Sequence, residues 1–287
     1  MRSPSTSAPT KSDTLGCNNI SKKDVSSAAR RESAYVYSPM GRLPPARLLE
    51  ARVMVRKILA YESAETSLLE GRVVLVADNP DRAGDFIADA EALAATLGSD
   101  QLVTRRYQPG ATRQNVVQSF DEGASLVSYL GHGAIHLWAD ENVFNASDVE
   151  TLTSQSQQPL LLTMTCLNGY FHFPYFDSLT EVLLKAEDKG VIAVFSPSGL
   201  SLNAPANLYQ QALVDELFHG GHDRIGDAVL AAQIRYAKSG AHPSFSPSTT
   251  SSQVPIQLLS LLATTQIESH FSTRPDPSVA GVSLWKR

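Results

Sequence analysis

Cysteine is nearly missing from this chain: 287 residues hold two, Cys17 and Cys166. So few exclude a disulfide-rich scaffold or a zinc module built on several thiolates. The two stand in unlike contexts, Cys17 in a polar stretch and Cys166 after an apolar run, and nothing suggests that they pair. Cys166 is therefore expected as a free thiol. Long apolar runs are missing too. None approaches the ~20 residues of a membrane span, and residues 1–30, rich in Ser, Thr, Lys and Asn, hold no apolar signal core. Charge of one sign never accumulates. Lys and Arg total 24 against 29 Asp and Glu, net −5, interspersed along the chain. That pattern carries no footprint for nucleic acid or an anionic membrane. The expectation is a soluble chain with no nucleic-acid partner, no membrane span and no export address, its compartment undetermined. Neither a Walker pattern nor Gly-x-Gly-x-x-Gly follows any strand-like run, so no phosphate-cradling loop is expected.

What is present is an alternation. With 43% apolar residues the chain can bury a sizeable core. Residues 1–40 read as a disordered polar leader, and 241–287 as an irregular tail with one apolar island at 254–262. Between them, 41–240 reads as one catalytic domain. Helical spacing covers 44–61, 86–97, 113–120, 179–186, 208–218 and 225–237. Short apolar runs suited to buried strands lie at 72–78, 102–107, 125–130, 160–165 and 191–195. Such an order predicts an α/β fold, a mainly parallel sheet between two helical layers. Function in such sheets gathers beyond the carboxyl ends of the strands. Asp78, His132, Cys166 and Ser196 all fall there.

Two short stretches carry the chemistry, Gly131-His132-Gly133 and Thr165-Cys166-Leu167-Asn168-Gly169. A thiol is nucleophilic as thiolate, and a nearby imidazole generates that form near neutral pH. Alone, Gly-His-Gly is a tight turn with a solvent-facing ring, and a lone cysteine is core filling. Together at neighbouring strand ends they point to cysteine-dependent acyl transfer. Gly133 N–H and the Cys166 amide are candidate oxyanion donors. Asp78 is the first candidate to orient the imidazole, with Asp81 and Asp85 close behind. His132, His136, Cys166 and His172 suit zinc by type, but their spacing does not.

These motifs resemble the gingipain family of cysteine peptidases, of the clan that includes caspases. The resemblance runs from about Gly41 to Tyr236. It includes Val74-Leu75-Val76-Ala77-Asp78, the Gly-His-Gly with Trp138 downstream, Cys166-Leu167-Asn168-Gly169-Tyr170-Phe171 and Ser196-Pro197-Ser198-Gly199. It implies a caspase-like three-layer fold and endopeptidase activity on peptide or protein substrates. Cys166 would be the nucleophile, His132 the base and acid, Gly133 an oxyanion donor and Asp78 the orienting acid. Asp85 would line the pocket for the residue before the scissile bond, or cap a helix. Ser198 and Leu202 would wall that pocket. The chemistry needs no cofactor, and the resemblance admits a structural calcium. The rival reading is an inactive caspase-like scaffold that binds a peptide or protein partner.

Overall fold

The computed structural model describes residues 41–64 and 70–239, and the backbone of 256–259. The polar leader and most of the C-terminal tail lie outside the described residues.

Five parallel strands form the centre: β1 (Val73–Ala77), β2 (Val103–Tyr107), β3 (Leu126–Leu130), β7 (Leu160–Met164) and β8 (Ala193–Pro197). A last strand, β9 (Ile256–Leu259), pairs antiparallel with β8, giving the order β2-β1-β3-β7-β8-β9. β9 falls inside both the apolar island and the segment set aside as an irregular tail. β1, β3, β7 and β8 are buried along their whole length, as their mainly apolar sequences, interrupted by Ser128, Thr163 and Ser196, suit a sheet covered on both faces.

The pleat sorts the core into two halves. Val73, Leu75 and Ala77 share one face with α2 (Phe86–Leu97), α6 (Asn203–His219) and α7 (Ile225–Lys238). Val74 and Val76 face α1 (Leu48–Ser63), α3 (Arg113–Asp121) and α5 (Leu179–Lys185). This is the expected three-layer sandwich. Caps fix the helix starts: Asp85 accepts the Ala88 N–H at 3.0 Å, and Ser178 with Glu181 forms a capping box on α5. α6 starts earlier than the apolar spacing suggests, with Pro205 in its first turn, where no backbone donor is needed.

A small second sheet, which the sequence pattern does not reveal, lies between β3 and β7. It consists of β4 (Gly133–Ala134), β5 (Leu137–Trp138) and β6 (Phe144–Asn145), followed by a single-turn helix α4 (Asp148–Thr151). Two-residue strands are too short to show a period.

Candidate active site

The sheet order reverses between β1 and β3, whose neighbours lie on opposite sides. Their carboxyl ends part there and leave a crevice. Asp78, His132 and Cys166 follow β1, β3 and β7, three adjacent strands.

Asp78 is buried, and its two oxygens hold backbone. One accepts the His132 N–H at 3.1 Å, the other the Asn79 N–H at 2.8 Å. Burial raises its pKa, and those two donors oppose the rise. Gly131 brings the two loops this close. With φ +153°, it lies where a Cβ would meet the Asp78 Cβ at 2.4 Å.

The imidazole itself meets a different acid. His132 Nε2 lies 2.9 Å from Asp81 Oδ2. The Asp81 loop is tightly closed: its other oxygen accepts the Ala83 N–H at 2.7 Å, and its own N–H reaches the Gly84 carbonyl at 3.0 Å. Slight burial acts to raise the Asp81 pKa, but the Ala83 N–H and the His132 ring outweigh it and hold the carboxyl below its ordinary value. Phe86 packs edge-on against the imidazole, ring centres 5.3 Å apart.

Cys166 is 1% exposed, and the Ser201 N–H points at its sulfur from 3.3 Å. The backbone turns sharply behind it. Leu167 takes φ +62°, uncommon for a branched side chain, and its N–H bonds to the Gly199 carbonyl at 3.0 Å. Gly169 N–H bonds to the Pro197 carbonyl at 2.9 Å, so the loop after β7 is tied to the loop after β8. The sulfur is in disulfide form, not the expected free thiol; the chain's other cysteine, Cys17, lies outside the described residues. Nucleophilic chemistry requires the reduced form.

Gly133 starts β4, where a Cβ would come within 2.4 Å of Thr165 Oγ1. Only glycine lets the histidine loop lie against the cysteine strand there. Ala139 N–H donates to the His132 carbonyl at 2.9 Å, so 132 and 139 form a hydrogen-bonded antiparallel pair. By alternation Gly133 and Trp138 form a non-hydrogen-bonded pair, and the Gly133 N–H faces away from β5.

Asn168, two residues after the cysteine, went unassigned in the sequence. It is fully buried, accepts the Trp138 indole N–H at 2.5 Å and donates to the carbonyls of Ala134 at 2.5 Å and Leu137 at 3.2 Å. One side chain thus clips the cysteine loop to the hairpin that begins at His132.

A cleft of about 20 Å³, room for about one water, is lined by Phe86, Gly131, His132, Thr165, Cys166 and Ser201, among others. The cysteine and histidine thus share one cavity. Asp85, Ser198 and Leu202 are not among its lining residues: Asp85 caps α2, Ser198 is buried after β8, and half-buried Leu202 is the residue before α6. The two residues flanking Leu202, Ser201 and Asn203, do line it. The zinc-type histidines do not converge. His136 packs on Phe176 and His172 on Tyr170, and among the described residues no group of three or more His, Cys, Asp or Glu is placed to hold a metal.

The chain is similar to known proteins in sequence and in fold. Gingipain R2 and gingipain R1 of Porphyromonas gingivalis are each 34% identical to the chain over 88 residues, 31% of its length. The chain spans only 12% and 9% of those relatives. The crystal structure of the Arg-specific cysteine proteinase gingipain R superposes with TM-score 0.62 at 21% identity, covering 71% of this chain and 50% of that one. The complex of the pro- and mature domains of RgpB gives TM-score 0.62 at 19% identity, covering 71% and 52%. The likeness to these structures shows a caspase-like fold. The profile of peptidase family C25 matches residues 23–262, and the chain therefore belongs to peptidase family C25, the gingipain family of cysteine peptidases.

Proposed function

We propose that this chain is a cysteine endopeptidase working through Cys166 and His132. The observation that carries the reading is their meeting in one cleft at the ends of adjacent parallel strands, with an acid on the imidazole. With Nε2–H donating to Asp81, Nδ1 is the nitrogen left to exchange a proton with the sulfur. The reduced thiol yields its proton to Nδ1, and the thiolate attacks the scissile carbonyl. The oxyanion is held by the Gly133 N–H, with the Cys166 amide as second donor; one such donor is worth on the order of 10²–10³ in rate. His132 then protonates the departing amine and a thioester remains. Water, deprotonated by the same imidazole, attacks the thioester and releases the acid and the thiol. No cofactor enters these steps.

Substrates are polypeptides under this reading. The residue preferred before the scissile bond is read best by experiment. Peptidyl acyloxymethyl ketones carrying Arg, Lys, Asp, Asn or Ala at that position are incubated with reduced protein and the adduct is mapped. Labelling at Cys166, lost in His132→Ala and restricted to one side-chain type, is the expected result. Absence of labelling in folded, reduced protein would overturn the assignment and favour the binding scaffold.

A further inference from the structure

Cys166 is 1% exposed, so a scissile carbonyl reaches its sulfur only inside the cleft. The residue before the scissile bond is attached to that carbonyl carbon, and its side chain must share the same cavity. Sheet order says on which side. Cys166 follows β7, which lies between β3, leading to His132, and β8, leading to the 198–202 loop. His132 protonates the departing amine, so the leaving chain takes the β3 side and the acyl side chain the β8 side. There the Ser201 N–H lies 3.3 Å from the sulfur, and Ser201 and Asn203 line the cleft.

Both carry a buried polar atom that, among the described residues, has no hydrogen-bond partner: Ser201 Oγ and Asn203 Oδ1. Ser201 as a whole is 7% exposed. A third such atom, Thr165 Oγ1, belongs to the histidine side of the cleft, against Gly133. Asn203 does not turn freely. Its Nδ2 donates to Asp89 at 2.7 Å, the other Asp89 oxygen accepts the Asn207 amide at 2.6 Å, and a Cβ on Gly84 would clash with that same Nδ2. The nitrogen is thereby engaged, and the amide oxygen is left as a fixed acceptor. The Ser201 hydroxyl can donate or accept. Leaving buried polar groups unpaired is costly, and a substrate group that pairs both removes that cost on binding.

Size and charge narrow the occupant. A cleft of about 20 Å³ has room for about one water, which matches a hydroxyl and not a carboxamide or a guanidinium. Among the described residues its lining holds no Asp or Glu: Asp85 caps α2, and Asp89 is tied by the two asparagines. A cationic side chain would enter without a counter-charge.

Resting on the peptidase reading, we propose that Ser201 and Asn203 form the subsite for the residue before the scissile bond and select a small neutral side chain with a hydroxyl, serine first. The incoming hydroxyl donates to Asn203 Oδ1 and accepts from the Ser201 hydroxyl. Both residues set specificity and take no part in proton transfer at the reacting atoms.

The test is cleavage of a proteome-derived peptide library by the reduced full chain, with cut sites read by mass spectrometry, for wild type, Ser201→Ala and Asn203→Ala. Wild type is expected to enrich Ser before the cut and to deplete Arg and Lys. On matched quenched peptides, Ser over Ala at that position should give about a three- to tenfold higher kcat/KM, the scale of one neutral hydrogen bond. Arg should fall at least about a hundredfold below Ala, as an unpaired buried charge requires. In each variant the Ser-to-Ala ratio should fall toward one. Ser201→Ala removes a hydroxyl with no partner among the described residues, and thermal melting confirms that both variants are folded. Preference for Arg or Lys, no preference, or an unchanged Ser-to-Ala ratio in either folded variant overturns the subsite while leaving the peptidase reading intact. No cut in any library peptide by folded, reduced wild type overturns the endopeptidase reading and the subsite with it.

Discussion

His132 is held by Asp81 through its ring and by Asp78 through its backbone: Nε2 lies 2.9 Å from Asp81 Oδ2, while Asp78 Oδ2 accepts the His132 amide at 3.1 Å. The two acids after β1 therefore divide the work of placing one residue. Asp78 builds the loop, and Asp81 sets the imidazole.

Their substitutions are expected to separate cleanly. The Asp81 side chain is 34% exposed, so its contact with the ring belongs to the ~0.2–1 kcal/mol class and Asp81→Asn should slow Cys166 alkylation at pH 6 by at most about fivefold. Asp78→Asn leaves one of two backbone donors without its acceptor, at a cost of about 1–3 kcal/mol in urea unfolding. A silent Asp81→Asn beside a slow but fully stable Asp78→Asn would reverse the two roles.

Gly133→Ala places a methyl on Thr165 Oγ1 and pushes the Gly133 amide away from the cysteine. Rates should fall on the order of 10²-fold, the scale of one oxyanion donor. Thr165→Ala in the same chain removes the clashing atoms, and among the described residues Thr165 Oγ1 has no hydrogen-bond partner to lose. The double variant is expected to recover at least tenfold in kcat, about 1.4 kcal/mol of coupling between the two sites. No recovery would show that the added methyl is blocked by the Leu137 carbonyl oxygen, 3.2 Å from that position, and not by Thr165.

Asn168→Ala deletes three hydrogen bonds and leaves the Trp138 indole N–H buried without an acceptor. The midpoint of urea unfolding should drop by the equivalent of about 2–4 kcal/mol, one such group costing ~1–3 kcal/mol. In protein still folded, kcat should fall more than KM rises, because the clip sets the cysteine against the histidine. Unchanged kcat would make Asn168 purely structural.

Lys57 on α1 is buried and donates to the carbonyls of Lys189 at 2.8 Å, Ala186 at 3.0 Å, Leu184 at 3.3 Å and Leu183 at 3.4 Å. Burial lowers its pKa to about 7, against the Asp188 carboxylate, which raises it. Between about pH 7 and the ordinary value of 10.5 the unfolded chain binds a proton that the folded chain does not, so this lysine makes stability rise with pH across that window. Urea unfolding at pH 7 and pH 9 checks it. Lys57→Met should remove this rise and lower stability at both values, since the carbonyls around the amine lose their shared donor. A wild-type slope equal to that of the variant would refute the assignment.

The amino-acid order by itself determined the layered α/β architecture. Unbroken apolar stretches such as Val73-Val74-Leu75-Val76 have no low-energy place except a sheet covered on both sides. It also put His132 and Cys166 at strand ends, because glycines and polar residues abruptly end the two apolar runs. Tertiary structure decided which acid meets the ring. Asp78 and Asp81 stand three apart in a loop whose torsions no period encodes, and parallel pairing of β1 with β3 points Asp78 at backbone and leaves Asp81 for the imidazole. It decided Asn168 as well, whose three partners come from a hairpin with strands too short to show in the pattern. Contacts between loops that meet only after distant strands pair are absent from local sequence, and here those contacts build the site.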